Sequence, residues 1–174
     1  YENEISDVLK GYLKQKKTGL PYVTLKIGSS LNGKIATENG ESKWITNSFC
    51  RKRVQLIRSE NDGILIGKNS IIIDNPSLNL RDEFEIIENK PVFILDTNLE
   101  LPNIESLSLF DILEKEKIYI ITGKKPKDMA IRRSGFLKGV NIENAKSTKE
   151  FLCIEEVLKI VSKTGVNRLL VEGG

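Results

Sequence analysis

Six short apolar runs, at residues 22–28, 63–67, 91–96, 118–122, 140–144 and 168–171, constrain this chain more than any other feature. Runs of this length, rich in Ile, Val and Leu, suit strands better than helices. Between every two of them lies a stretch that reads as helical: residues 48–60, 68–73, 106–115, 127–137 and 154–164. Strands separated by helices are joined by crossovers, not hairpins. The expected fold is therefore α/β, with a mostly parallel central sheet flanked by helices. At 174 residues it fits one domain.

Local signals add detail. Ile5, Val8, Leu9, Tyr12 and Leu13 form one face of a leading helix that Gly19 and Pro21 end, with Lys10, Lys14, Gln15 and Lys17 opposite. Asn32-Gly33 predicts a tight turn, and Lys34-Ile35-Ala36 a short strand after it. Thr46 or Asn47 is placed to cap the helix over 48–60, whose Cys50, Val54 and Ile57 predict a buried face.

Composition removes several classes of function. The chain has two cysteines, Cys50 and Cys153, far apart, and no histidine. A zinc site, a Ser-His-Asp triad and a Cys-His pair are thereby excluded within it, and no metal is expected. A net charge of +3, from 27 basic and 24 acidic residues, is too balanced to argue for nucleic acid but welcomes small anions. No apolar run approaches the ~20 residues of a membrane-spanning helix. No membrane association is expected, and the cytoplasm is the expected compartment. Neither G-x-G-x-x-G nor Walker A is present.

Polar groups concentrate around residues 22–81, and buried polar groups are costly unless they are paired. Loops at strand ends are where binding sites form, so this region reads as a site for a polar, phosphorylated ligand. Lys26 interrupts an apolar strand, either at an edge or aimed into a cleft. Trp44 sits in a polar loop, where its ring can pack on a cofactor or anchor the loop. Arg58 and Arg81 can each grip a phosphate with two hydrogen bonds, or make surface ion pairs. Asp74 precedes Asn75-Pro76 and can simply cap a turn. Glu172 ends a strand, where a carboxylate reaches a site more often than a core. Gly173-Gly174 after that strand would let a phosphate approach the backbone.

Four motifs occur in order: Leu25-Lys26-Ile27-Gly28-Ser29-Ser30-Leu31-Asn32-Gly33-Lys34, the loop at residues 40–46, Asp74-Asn75-Pro76-Ser77-Leu78 with Arg81, and Leu170-Val171-Glu172-Gly173-Gly174. The succession closely resembles the reductase domain of the bifunctional riboflavin-biosynthesis deaminase/reductase, from about Leu20 to the last residue. The resemblance implies a dihydrofolate-reductase-like fold. It also implies NADPH-dependent reduction of 5-amino-6-(5-phosphoribosylamino)uracil to its ribitylamino product. Carried over by position, Ser42, Arg58, Leu78, Arg81 and Glu172 would contact substrate, and Gly28, Trp44, Ser70, Asp74 and Thr97 the cofactor, with Gly173 and Gly174 opening its phosphate loop. Lys26 would lie near the substrate ribose. The chain departs from the family pattern at Asn32, Ser70 and Asn75, where Asp, Thr and a second Asp are usual.

A cofactor that supplies hydride leaves the protein to orient the reactants and manage one proton. Lys26, Asp74 and Glu172 are the candidates for that proton, beside a bound water. Lys124 and Lys125 are the candidates for a 2′-phosphate. The resemblance further implies that residues 1–20 are a linker helix after a covalently linked deaminase domain, and that 21–174 is a reductase domain cut short at its C-terminal end. Alone, the chain is expected to bind NADPH poorly and to self-associate, and the parent protein is expected to be a homo-oligomer. A dihydrofolate-reductase-type enzyme and a non-catalytic nucleotide-binding module are the alternatives.

Overall fold

The structure, a computed structural model, describes residues 2–42, 45–81, 86–101, 107–125, 127 and 137–173. Its centre is a six-stranded sheet in the order β1-β8-β2-β5-β6-β7. The strands are β1 (Tyr22–Lys26), β2 (Gly63–Gly67), β5 (Val92–Leu95), β6 (Ile118–Thr122), β7 (Asn141–Asn144) and β8 (Arg168–Glu172). Every pairing in it is parallel. All six predicted strands are present. A small antiparallel pair, β3 (Leu80–Arg81) with β4 (Ile86–Glu88), lies outside this sheet and has no counterpart among the predicted elements.

The apolar runs are continuous because the central strands are covered on both faces. Ile64, Ile66, Val92, Ile94, Ile118 and Ile120 belong to one core cluster. α3 (Lys68–Asp74) and α4 (Ser108–Ile112) contribute Ile71 and Leu109 to that cluster. The intervening residues Leu65, Phe93 and Ile121 belong to a second cluster with Val157 and Val161 of α5 (Ile154–Lys163). This two-residue alternation sends neighbouring side chains to opposite faces.

Two local expectations are corrected. Lys34-Ile35-Ala36 forms no strand. Ser30 and Lys34 instead close a turn, with the Ser30 amide donating to Lys34 O at 2.8 Å, and Gly33 sits at φ +77° as the turn predicts. α2 (Ser48–Ser59) is capped by Asn47, whose side chain accepts from the Cys50 amide at 2.9 Å. Its Cys50 is exposed, and Val54 and Ile57 are only half-buried, so the predicted buried face of this helix does not enter the core. α1 (Glu2–Thr18) turns Gly11 to the body, where an added Cβ would lie 2.5 Å from the Arg168 side chain. The apolar stripe of α1, with Val8 73% exposed, is left facing outward. Residues 128–136, most of another predicted helix, lie outside the described residues.

Candidate functional site

Parallel strands bring their carboxyl ends to one edge, so Lys26, Gly67, Leu95 and Glu172 gather there from β1, β2, β5 and β8. Lys26 and Glu172 are direct register partners, and Ile66 flanks Glu172 on the other side. Register alone therefore places the ammonium beside the carboxylate, with Lys26 Nζ 3.5 Å from Glu172 Oε2. The lysine is aimed into the site and not away from the sheet edge.

Arg58, in the last turn of α2, completes the cluster. Its Nε donates to Glu172 Oε1 at 2.6 Å and its Nη2 to Oε2 at 3.1 Å. Nη1 donates to the main-chain oxygen of Asn79 at 3.2 Å. The Arg58 and Glu172 side chains are 11% and 7% exposed, so the pair is shielded from water. Burial pushes the Glu172 carboxyl up, but Arg58 and then Lys26 outweigh it and hold the group below the usual carboxylate range. Glu172 is therefore ionised at neutral pH. It can accept hydrogen bonds from hydroxyls, but it is a poor proton donor.

The Asp-Asn-Pro-Ser-Leu run ties this cluster to the rest of the site. Asn75 and Leu78 hold positive φ values of 41° and 50°, a backbone that non-glycine residues adopt at a cost. The run is pinned from three sides. The Asn75 side chain accepts from the Ser108 amide at 2.8 Å, Ser77 Oγ donates to Asn79 Oδ1 at 2.9 Å, and Arg58 holds Asn79 O. Leu78 is 3% exposed and packs in the core, so it can offer a ligand only its main chain. Asp74 begins the run at the end of α3, one turn after Ser70 and on the same helix face. Ser42 Oγ donates to Asp74 Oδ1 at 3.4 Å, which joins a residue implied for substrate to one implied for cofactor.

A third group lies along the same edge. Gly67, Lys68, Asn69, Leu95, Thr97, Asn98 and Glu150 line a cleft of about 280 Å³ at the ends of β2 and β5. Among the described residues, Thr97 is the one implied for the cofactor by position that lines this cleft. Among the described residues, chain neighbours aside, no heavy atom lies within 4 Å of where a Cβ would sit on Gly67 or Gly173. Gly28, after β1, has only Thr46 near that place among the described residues, at 3.7 Å. A hydroxyl, two carboxamides, one ammonium and the open Gly67 backbone suit the polar parts of a nucleotide cofactor, while the Glu150 carboxylate in the same lining disfavours a phosphate beside it.

These groups form one continuous edge from β1 to β5. Trp44, Gly174 and the Arg81 side chain lie outside the described residues, while the Arg81 main chain pairs with Ile86. Residues 21–174 match the RibD C-terminal domain family. The chain belongs to that family. The riboflavin biosynthesis protein RibD of Bacillus amyloliquefaciens is 34% identical over 171 residues, which cover 98% of this chain and 44% of that protein. The chain thus spans less than half the length of this curated relative. Among solved structures, the deaminase/5-amino-6-(5-phosphoribosylamino)uracil reductase of Thermotoga maritima superposes with a TM-score of 0.75 at 25% identity, covering 99% of this chain and 44% of that one. RibD of Acinetobacter baumannii gives 0.75 at 29%, covering 97% of this chain and 44% of that one. The mostly parallel sheet with flanking helices is thus the dihydrofolate-reductase-like fold that the motifs implied.

Four residues of this RibD-type edge escaped the sequence reading. Asn79 supplies the carbonyl that Arg58 holds, and Lys68, Asp96 and Glu100 form a charged group at the cleft. Lys68 had a usable signal, since it directly follows a strand that ends at the carboxyl edge. Asp96 had a weaker one, a carboxylate closing an apolar run.

Proposed function

We propose that this chain is the reductase part of a riboflavin-biosynthesis protein and reduces 5-amino-6-(5-phosphoribosylamino)uracil with NADPH. The observation that carries this reading is the Lys26–Glu172–Arg58 cluster, beside an open glycine strand end and a polar cleft, in a RibD C-terminal domain. NADPH, when bound, supplies a hydride. The substrate's ribosylamine opens to an imine-like form, and the former anomeric carbon accepts that hydride. Glu172, ionised and held by Arg58, accepts hydrogen bonds from sugar hydroxyls and fixes the chain for attack. Lys26 shares the Glu172 carboxylate, faces the same hydroxyls and is the group we assign to the proton. Ser42 and Asp74 frame the approach between substrate and cofactor. Arg58 gives three of its five N–H donors to Glu172 and Asn79, so we assign the larger share of the substrate phosphate to Arg81.

The lengths of the relatives support a deaminase domain joined to this one in the full-length protein, with residues 1–20 as the connecting helix. The outward apolar stripe of α1 supports a homo-oligomer. The test is made on the full-length protein. Lys26→Met and Glu172→Gln are each expected to lower kcat about 100-fold, in the range of a lost acid–base or orienting group. NADPH affinity should stay within about threefold, since neither residue lies in the cleft at β2 and β5. Unchanged turnover in both variants would remove the cluster from the chemistry.

A further inference from the structure

α2 carries Arg58 to the Lys26–Glu172 cluster, yet none of its residues is buried. A helix with so little apolar packing needs other contacts if the side chain it presents is to stay in place. Its end supplies them. The last four carbonyls of a helix have no partner within it, and α2 does not close on a left-handed residue, since Glu60 has φ -77°. Leu56 O accepts from the Glu60 amide at 3.2 Å and from Ser59 Oγ at 2.7 Å. Ile57 O accepts from Asn61 Nδ2 at 2.7 Å, and Arg58 O from the Asn61 amide at 3.2 Å. Ser59 O, the last of the four, accepts from Lys90 Nζ at 3.0 Å, and the same ammonium donates to Asn61 O. Lys90 comes from another part of the chain, two residues before β5, at the amino edge of the sheet and opposite the site. A cation suits the place, because the carbonyl end of a helix is partly negative.

We propose that Lys90 is a positioning residue for the reduction, clamping the end of α2 from the amino edge of the sheet and so holding Arg58 on Glu172. The segment it clamps is also tied to β8, the strand that ends in Glu172. The Asp62 amide donates to Arg168 O at 2.8 Å, and Asp62 Oδ2 accepts from the amides of Asn167 and Arg168 at 2.9 and 2.8 Å. The base of Arg58 and the carboxylate it meets are therefore both referred to β8, one at each end, roughly 13 Å apart at the usual rise per residue. Helix side chains lean toward the helix N-terminus, so Arg58 extends from this end toward the carboxyl edge, and any tilt of the helix end is carried to its guanidinium. A displacement of about 1 Å in an orienting group is enough to slow a reaction markedly. The effect on turnover rests on the reductase reading above, whereas the effect on Arg58 does not.

The experiment uses the full-length protein and two readouts. Lys90→Met keeps the length of the side chain and removes its donors, while Lys90→Arg keeps a cation able to reach both carbonyls. NMR follows exchange of the Arg58 Nε–H with water, its signal assigned by its loss in Arg58→Met, and steady-state kinetics give kcat and KM. In Lys90→Met the Arg58 Nε–H should exchange about 10-fold faster, the order expected when a charge-assisted hydrogen bond on the helix end is lost. Its kcat should fall about 10-fold with KM for NADPH within about twofold of wild type. In a Glu172→Gln background, Lys90→Met should lower kcat by less than about twofold further, because the pair it serves has already lost its charge. Lys90→Arg should keep kcat within about threefold, and thermal unfolding of both variants separates a lost clamp from a lost fold. Unchanged Arg58 exchange in Lys90→Met overturns the proposal, as does a kcat within about twofold of wild type. So does a full loss repeated in the Glu172→Gln background, since Lys90 would then act elsewhere. If Arg58 exchange quickens as expected but the wild type consumes no NADPH with the pyrimidine substrate, the clamp stands and the reductase reading fails.

Discussion

Replacing Arg58 by Met would leave the Glu172 carboxylate in a shielded position with only Lys26 to offset it. Arg58 meets both carboxylate oxygens, at 2.6 and 3.1 Å, and both side chains are nearly buried. Two unit charges about 4 Å apart attract by about 4 kcal/mol at an effective dielectric near 20. Lys26 is 3.5 Å from the same carboxylate but 30% exposed, so water screens its share. Breaking a buried pair from one side typically costs about 3–5 kcal/mol, because the charge left behind is uncompensated. Arg58→Met should therefore destabilise the fold by about 3 kcal/mol, near the low end of that range because Lys26 remains. The double variant Arg58→Met/Glu172→Leu buries no charge and should cost much less than the sum of the single changes. A double-mutant cycle by urea unfolding, read from midpoints at a common slope, should give a coupling of about 2–3 kcal/mol. A coupling below about 0.5 kcal/mol would refute the reasoning, since it would mean that Arg58 does not hold Glu172.

The same carboxylate makes stability depend on pH. Its folded pKa is depressed, so its contribution is present above the unfolded value of about 4.3 and is lost as pH falls through the folded value. The stability gap between wild type and Glu172→Gln should be full at neutral pH and shrink in acid, and a gap that stays constant would contradict the assignment. Asn47→Ala removes the cap of α2 and should cost about 1 kcal/mol in thermal or urea unfolding. At Asn75, with φ 41°, Ala should be worse than Gly by about 1 kcal/mol, because both lose the bond from Ser108 but only Ala strains the left-handed backbone. Equal losses would mean that the backbone there relaxes.

The sheet was legible because its central strands, β2, β5 and β6, are buried on both faces and so read as unbroken apolar runs. Lys34-Ile35-Ala36 misled because a strand needs a partner, and the local turn from Ser30 to Lys34 took up its hydrogen bonds instead. The face of α2 misled for a related reason. Periodicity predicts which residues share a side of a helix, but whether that side meets a core depends on where the helix docks. In the site, Lys26 and Glu172 stood out singly, but only parallel register joins them across 146 positions of chain. The partner of Arg58 could not be read at all, because a helix-borne arginine can equally reach a phosphate, a carboxylate or solvent. Lys68 was overlooked because what marks it is the buried, under-bonded Asp96, a fact of packing.

The most direct test of the reductase reading is NADPH consumption by the full-length protein, followed with 5-amino-6-(5-phosphoribosylamino)uracil and, separately, with dihydrofolate. The account predicts NADPH oxidation matched one for one by the ribitylamino product in mass spectrometry, and none with dihydrofolate. Turnover of dihydrofolate, or no oxidation with the pyrimidine while NADPH is bound, would contradict it.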